Sequence, residues 1–83
     1  MSDRHLVFDK AWFAGYKDLR TADRLMARRV RAAANALVRD PEPPGSVHLG
    51  DSLFYRLQVD DYRVLYEVDD DTVRVWSLGR APR

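Results

Sequence analysis

Five side chains in the C-terminal half of the chain have types and spacing that could do chemistry: Arg56, Gln58, Arg63, Trp76 and Arg80. Guanidinium groups suit bidentate contact with phosphate or carboxylate, and an exposed indole offers a ring on which a nucleobase can stack. Brought together on one surface, they would have the ingredients of a nucleic-acid-binding face. The competing reading is of solvated arginines beside a tryptophan that belongs to a protein interface. His48 is of the type most used for acid–base work near neutral pH, but it stands alone and serves equally well as a structural lead-in to a strand. His5 reads as an ordinary terminal residue. With no cysteine and only two distant histidines, neither a metal site nor a cofactor is expected.

These residues need a scaffold, and the patterning supplies one. Asp9 is placed to cap a helix in which Trp12, Phe13, Tyr16 and Leu19 recur at spacings of three and four, forming one aromatic face. Thr21 is a plausible cap for a second helix, with Ala22, Leu25, Met26, Val30, Ala33 and Leu37 as its buried stripe and an end near Arg39. Arg24, Arg28, Arg29 and Arg31 cover much of its solvent side; each alone reads as a solvated residue, but the group is attractive to a polyanion. The prolines and glycine of residues 40–45 stop the helical half. Before the helices, Leu6-Val7-Phe8 fits either an edge strand or a lead-in to the first helix.

Three runs with period-two alternation follow, at 53–59, 62–68 and 73–79, joined by Asp60-Asp61 and by Asp69-Asp70-Asp71. A two-residue turn at 60–61 pairs Val59 with Tyr62, and closing the next turn pairs Val68 with Val73. One face of this meander then carries Leu53, Tyr55, Leu57, Val59, Tyr62, Val64, Tyr66, Val68, Val73 and Val75, without a charge, and is the face that helices would cover. The other carries Phe54, Arg56, Gln58, Arg63, Leu65, Glu67, Arg74, Trp76, Leu78 and Arg80. On it Glu67 faces Arg74, and Arg56, Arg63 and Arg80 converge. The apolar members of that face would form a patch needing some cover. The expected fold class is α+β: an N-terminal helical hairpin packed on one face of an antiparallel β-meander.

Length limits the rest. The 83 residues make one domain with one core over 1–83. The absence of cysteine points away from an oxidising compartment, and no run approaches the roughly 20 apolar residues that span a bilayer, so the cytoplasm is the expected location and no membrane partner is expected. The net charge of +1 hides a basic first half and an acidic second half, and arginine dominates lysine twelve to two. A genome rich in G and C would produce the same arginine bias.

The stretch Tyr55-Arg56-Leu57-Gln58-Val59-Asp60-Asp61-Tyr62-Arg63-Val64-Leu65-Tyr66-Glu67, continued by Val73-Arg74-Val75-Trp76-Ser77-Leu78-Gly79-Arg80, resembles the RelE/ParE superfamily of type II toxin–antitoxin toxins. The likeness is specific from about residue 47 onward; over the helices it rests on order and length. In the RelE branch it implies an mRNA interferase that cuts mRNA on the ribosome. By motif position Arg63 matches the strand arginine that supports the transition state, Arg80 the C-terminal basic residue and Arg56 a first catalytic lysine. Gln58 stands where those nucleases carry a second lysine, and no C-terminal tyrosine follows Arg80. Gln58, Trp76, His48 and the terminal Arg83 are therefore candidate substrate-binding residues beside Arg56, Arg63 and Arg80 as candidate catalytic ones. In the ParE branch the resemblance implies a non-enzymatic inhibitor of DNA gyrase, and a third reading is an inactive interaction module. The implied partners are a cognate antitoxin with mRNA and ribosome, or gyrase in the second case, in a homodimer or a toxin–antitoxin hetero-oligomer.

Overall fold

The computed structural model describes residues 4–82. Along the chain run β1 (His5–Phe8), α1 (Lys10–Ala22), α2 (Arg24–Ala36), β2 (Ser46–His48), β3 (Phe54–Val59), β4 (Tyr62–Val68) and β5 (Thr72–Arg80). The strands form one sheet in the order β1-β5-β4-β3-β2, with β1 parallel to β5 and every other pair antiparallel. The expected α+β plan is present, and two edge strands extend the meander. Leu6-Val7-Phe8 is an edge strand after all. Residues 46–48, which end in the His48 read from sequence as a lead-in to the first meander strand, pair with β3 as the other edge.

Asp9 caps α1 as expected, accepting a hydrogen bond from the Ala11 amide. Trp12 and Leu19 are buried and Tyr16 half-buried, whereas Phe13 is 56% exposed and so stands outside the aromatic face assigned to it. Trp12 lies between Phe8 and Tyr16, with ring centroids 5.0 and 5.6 Å away. At Gly15 a side chain has no room: a Cβ there would overlap the Leu78 carbonyl oxygen, so the missing Cβ is what lets α1 lie against β5.

The second helix starts two residues later than expected. Thr21 is still inside α1, its hydroxyl donating to the Lys17 carbonyl at 3.0 Å, and Asp23 is the cap, accepting from the Met26 amide at 3.1 Å. The buried stripe is therefore Ala27, Val30, Ala34 and Leu37; Leu25 is 72% exposed and Ala22 is exposed. Val30 and Leu37 belong to both stripes, and the expected Met26 and Ala33 pack half-buried against the same core. Two alanines on the packed side let the α2 backbone come close to its neighbours.

The core between the helices and the sheet contains Trp12, Leu19, Val30, Leu37, Leu57, Val64, Tyr66, Val73, Val75 and Leu78. Both hairpin turns close in the expected register, Val59 with Tyr62 and Val68 with Val73. The first turn places Asp60 at a left-handed φ of 51°, a region that aspartate tolerates better than most side chains. Arg29 of α2 reaches this turn, pairing with Asp60 at 2.7 Å.

Candidate functional site

The uncovered face of the sheet is laid out in rows two residues apart. Gln58 stands across from Arg63, Arg56 across from Leu65, and Phe54 across from Glu67 and then Arg74. In the first row the Arg63 Nε donates to the Gln58 Oε1 at 3.3 Å, and the Gln58 Nε2 donates to the Asp60 carbonyl at 2.5 Å. Gln58 thus works as a strut that orients Arg63. Arg56 is half-buried in the next row.

A β-bulge changes the last strand. Up to Tyr66–Val75 the register is the expected one, but Leu65 then faces Ser77, Val64 faces Leu78 and Tyr62 faces Arg80, leaving Trp76 as the extra residue. Bulges insert one residue and shift everything beyond them by one. Leu78 consequently turns into the core at 8% exposure, and the apolar patch expected from it on the open face is smaller. Arg80 turns with it to the helix side, its guanidinium 5.9 Å from the Tyr62 ring, where both border a groove with Gly15, Asp18 and Leu19. The convergence of three arginines is therefore corrected to two, Arg56 and Arg63.

Trp76 remains on the open face and half-buried. Its indole N–H donates to the Glu67 Oε1 at 3.1 Å, the Arg74 guanidinium lies 5.4 Å over its ring, and Phe54 sits 6.2 Å from it. The Glu67–Arg74 register is as expected, but the Glu67 carboxylate takes the indole. Sequence reasoning missed this contact, although Trp76 is the same-face diagonal neighbour of Glu67, within reach of a large ring.

His48 is not part of this surface. It pairs with Tyr55 and belongs to the opposite face, its ring stacked on Tyr55 at 4.6 Å, with Tyr55 stacked on Tyr66 at 5.5 Å. Its Nε2 donates to the Ser52 carbonyl at 2.6 Å, which anchors the loop before β3. This is the structural lead-in role, and the face separates His48 from Arg56 and Arg63. Tyr66 is buried, donates to the Pro41 carbonyl at 2.6 Å, and has its hydroxyl pushed up to about 12, chiefly by burial. Arg83 lies outside the described residues. Among the described residues no group of histidine, cysteine and carboxylate side chains could hold a metal ion, and no helix is long and apolar enough to cross a membrane. On the helical side, Arg20, Arg24 and Arg28 surround Tyr16 in a shallow concavity, and Arg31 lies 5.6 Å over the same ring.

Two helices on one face of a mixed five-stranded sheet form the architecture of small RelE- and YoeB-like toxins. The YoeB dimer from Staphylococcus aureus superposes with a TM-score of 0.72 at 20% identity, covering 99% of both chains. The archaeal RelE–RelB complex from Pyrococcus horikoshii OT3 gives 0.76 at 22%, again over 99% of both. The DinJ–YafQ complex from E. coli gives 0.77 at 15%, over 93% of this chain and 92% of that one. No curated protein matches. The model of the ParE toxin of type II toxin–antitoxin systems (parDE) matches residues 9–83, and the chain belongs to that family.

Proposed function

We propose that this toxin acts through the open face of its sheet as a RelE-like mRNA interferase, cutting mRNA on the ribosome, in the cytoplasm, under the control of a cognate antitoxin. The observation that carries the reading is the placement of Arg56 and Arg63 in adjacent rows of one face, Arg63 held by Gln58. Attack of a ribose 2′-hydroxyl on the neighbouring phosphate builds negative charge on the phosphoryl oxygens. Guanidinium groups already fixed in place stabilise that charge without reorganising. Rows on one face lie about 7 Å apart, so the two arginines suit neighbouring phosphates of one strand. The antitoxin is proposed from kinship: RelE of P. horikoshii and YafQ of E. coli were solved in complex with RelB and DinJ.

Inducing the chain in cells while mapping mRNA 5′ ends and plasmid supercoiling tests this directly. Ribosome-linked cuts that vanish in Arg63→Ala are expected; intact mRNA with impaired supercoiling would sink the reading. That second outcome belongs to a ParE-like gyrase inhibitor, which needs no catalytic group. The departure of Arg80 to the helix side favours it, because it leaves fewer cations on the open face than the resemblance to nucleases implies.

A further inference from the structure

We infer that Glu67 is the general base of this cleavage and Trp76 the residue that positions it, an assignment resting on the RNA-cleaving reading above. Removing the 2′-hydroxyl proton requires an acceptor. Arginine stays protonated near neutrality, Gln58 has a neutral amide tied to Asp60 and Arg63, and His48 is on the other face. Among the described residues, Glu67 is the one carboxylate carried on the open face by the strands. The remaining acceptor there, His5, stands across from Thr72 on β1, three strands from Arg56, more than about 14 Å away.

Glu67 is close to the cations in the sense the chemistry needs. It is the diagonal neighbour of Arg56, one strand over and two residues on, a backbone separation of about 7–8 Å that two long side chains and a phosphate fill. Along β4 the order is Arg63, then Leu65 with Arg56 beside it, then Glu67. An RNA strand laid along β4 with its scissile phosphate at Arg56 would direct the 2′-hydroxyl of the preceding ribose to Glu67 and the next phosphate to Arg63.

The carboxylate is also prepared for the task. Its Oε1 accepts the Trp76 indole N–H, while its Oε2 takes no hydrogen bond or ion pair from a described residue. One oxygen is held and the other is presented. Trp76 keeps its place on the open face through the bulge, and Phe54 and Arg74 hold the ring in place. In the step itself the 2′-hydroxyl proton moves to Glu67 Oε2, the O2′–P bond forms and the P–O5′ bond breaks. Water protonates the departing O5′, leaving a 2′,3′-cyclic phosphate and a 5′-hydroxyl, and Glu67 returns its proton to solvent.

The test is single-turnover cleavage of a defined mRNA on programmed ribosomes. Glu67→Gln keeps an acceptor oxygen for the indole and removes the base, so the rate should fall about 10²- to 10⁴-fold. The acid limb of the wild-type pH–rate profile, set by a carboxylate facing Arg56, Arg74, Asp69 and, further along β4, Arg63, should disappear with it. Trp76→Phe, which keeps a ring and loses the N–H, should slow cleavage while retaining that limb. A Glu67→Gln protein with the wild-type rate and profile, beside an inactive Arg63→Ala, would overturn the assignment and leave the cleavage reading standing. Wild-type protein that makes no cut would remove both.

Discussion

Leu78 faces Val64 across the β4–β5 pair, one residue out of step with a hairpin that begins at Val68 and Val73. An unbroken hairpin would set Ser77 opposite Val64 and leave Leu78 on the open face. The single inserted residue, Trp76, decides which side chains belong to the core and which to the functional surface. Leu78→Ala should therefore cost about 2–4 kcal/mol, as core truncations do, where a surface leucine would change stability by a few tenths. Urea unfolding followed by tryptophan fluorescence measures the difference.

The same shift separates Arg80 from the other two arginines. Toxicity on induction should be lost in Arg56→Ala and Arg63→Ala and retained in Arg80→Ala. Among the described residues, the last variant gives up its contact with the Tyr62 ring, worth about 0.5–1 kcal/mol at an exposed site. A growth assay with matched expression distinguishes the three. An Arg80→Ala protein as harmless as Arg63→Ala would show that the helix-side groove takes part.

Gly15 sets two effects against each other. Alanine is favoured over glycine inside a helix by about 1 kcal/mol, but its Cβ would overlap the Leu78 carbonyl oxygen, and overpacking costs about 1–3 kcal/mol. The clash is with backbone, which cannot rotate away, so Gly15→Ala should lower the thermal midpoint. A raised midpoint would mean that α1 can lift from β5 freely.

Tyr66 links the fold to alkaline pH. Its hydroxyl rises from 10.0 to about 12 in the folded chain, so the folded state keeps a proton that the unfolded state releases. The associated stability is complete below pH 10 and declines above it by up to about 1.4 kcal/mol per pH unit until the folded value is reached. Tyr66→Phe should be less stable by about 1 kcal/mol at neutral pH through loss of the bond to Pro41. Its stability should then fall less steeply than the wild type's between pH 10 and 12, measured as paired urea midpoints.

Local rules carried most of the architecture in the sequence. Period-two alternation and the two acidic turns were enough to place Gln58 opposite Arg63 and Glu67 opposite Arg74, because a one-residue slip would have put a charged face against the helices. Asp9 was readable as a cap for the same local reason. The second cap was not, since Thr21 and Asp23 both carry a capping oxygen and only the turn into α2 selects between them.

What the sequence alone determined about this protein is thus its class, its meander register as far as Tyr66 opposite Val75, and the face that Arg56 and Arg63 share. Tertiary structure decided the rest: which edge β1 joins, which way His48 points, and where Arg80 and Leu78 lie. The alternation Val73-Arg74-Val75-Trp76 runs on smoothly into Ser77-Leu78-Gly79-Arg80, and only the gain from burying Leu78 against α1, with Ser77 and Gly79 turned outward, makes the bulge the better solution. That choice depends on packing against a helix more than fifty residues away, which no local pattern can report.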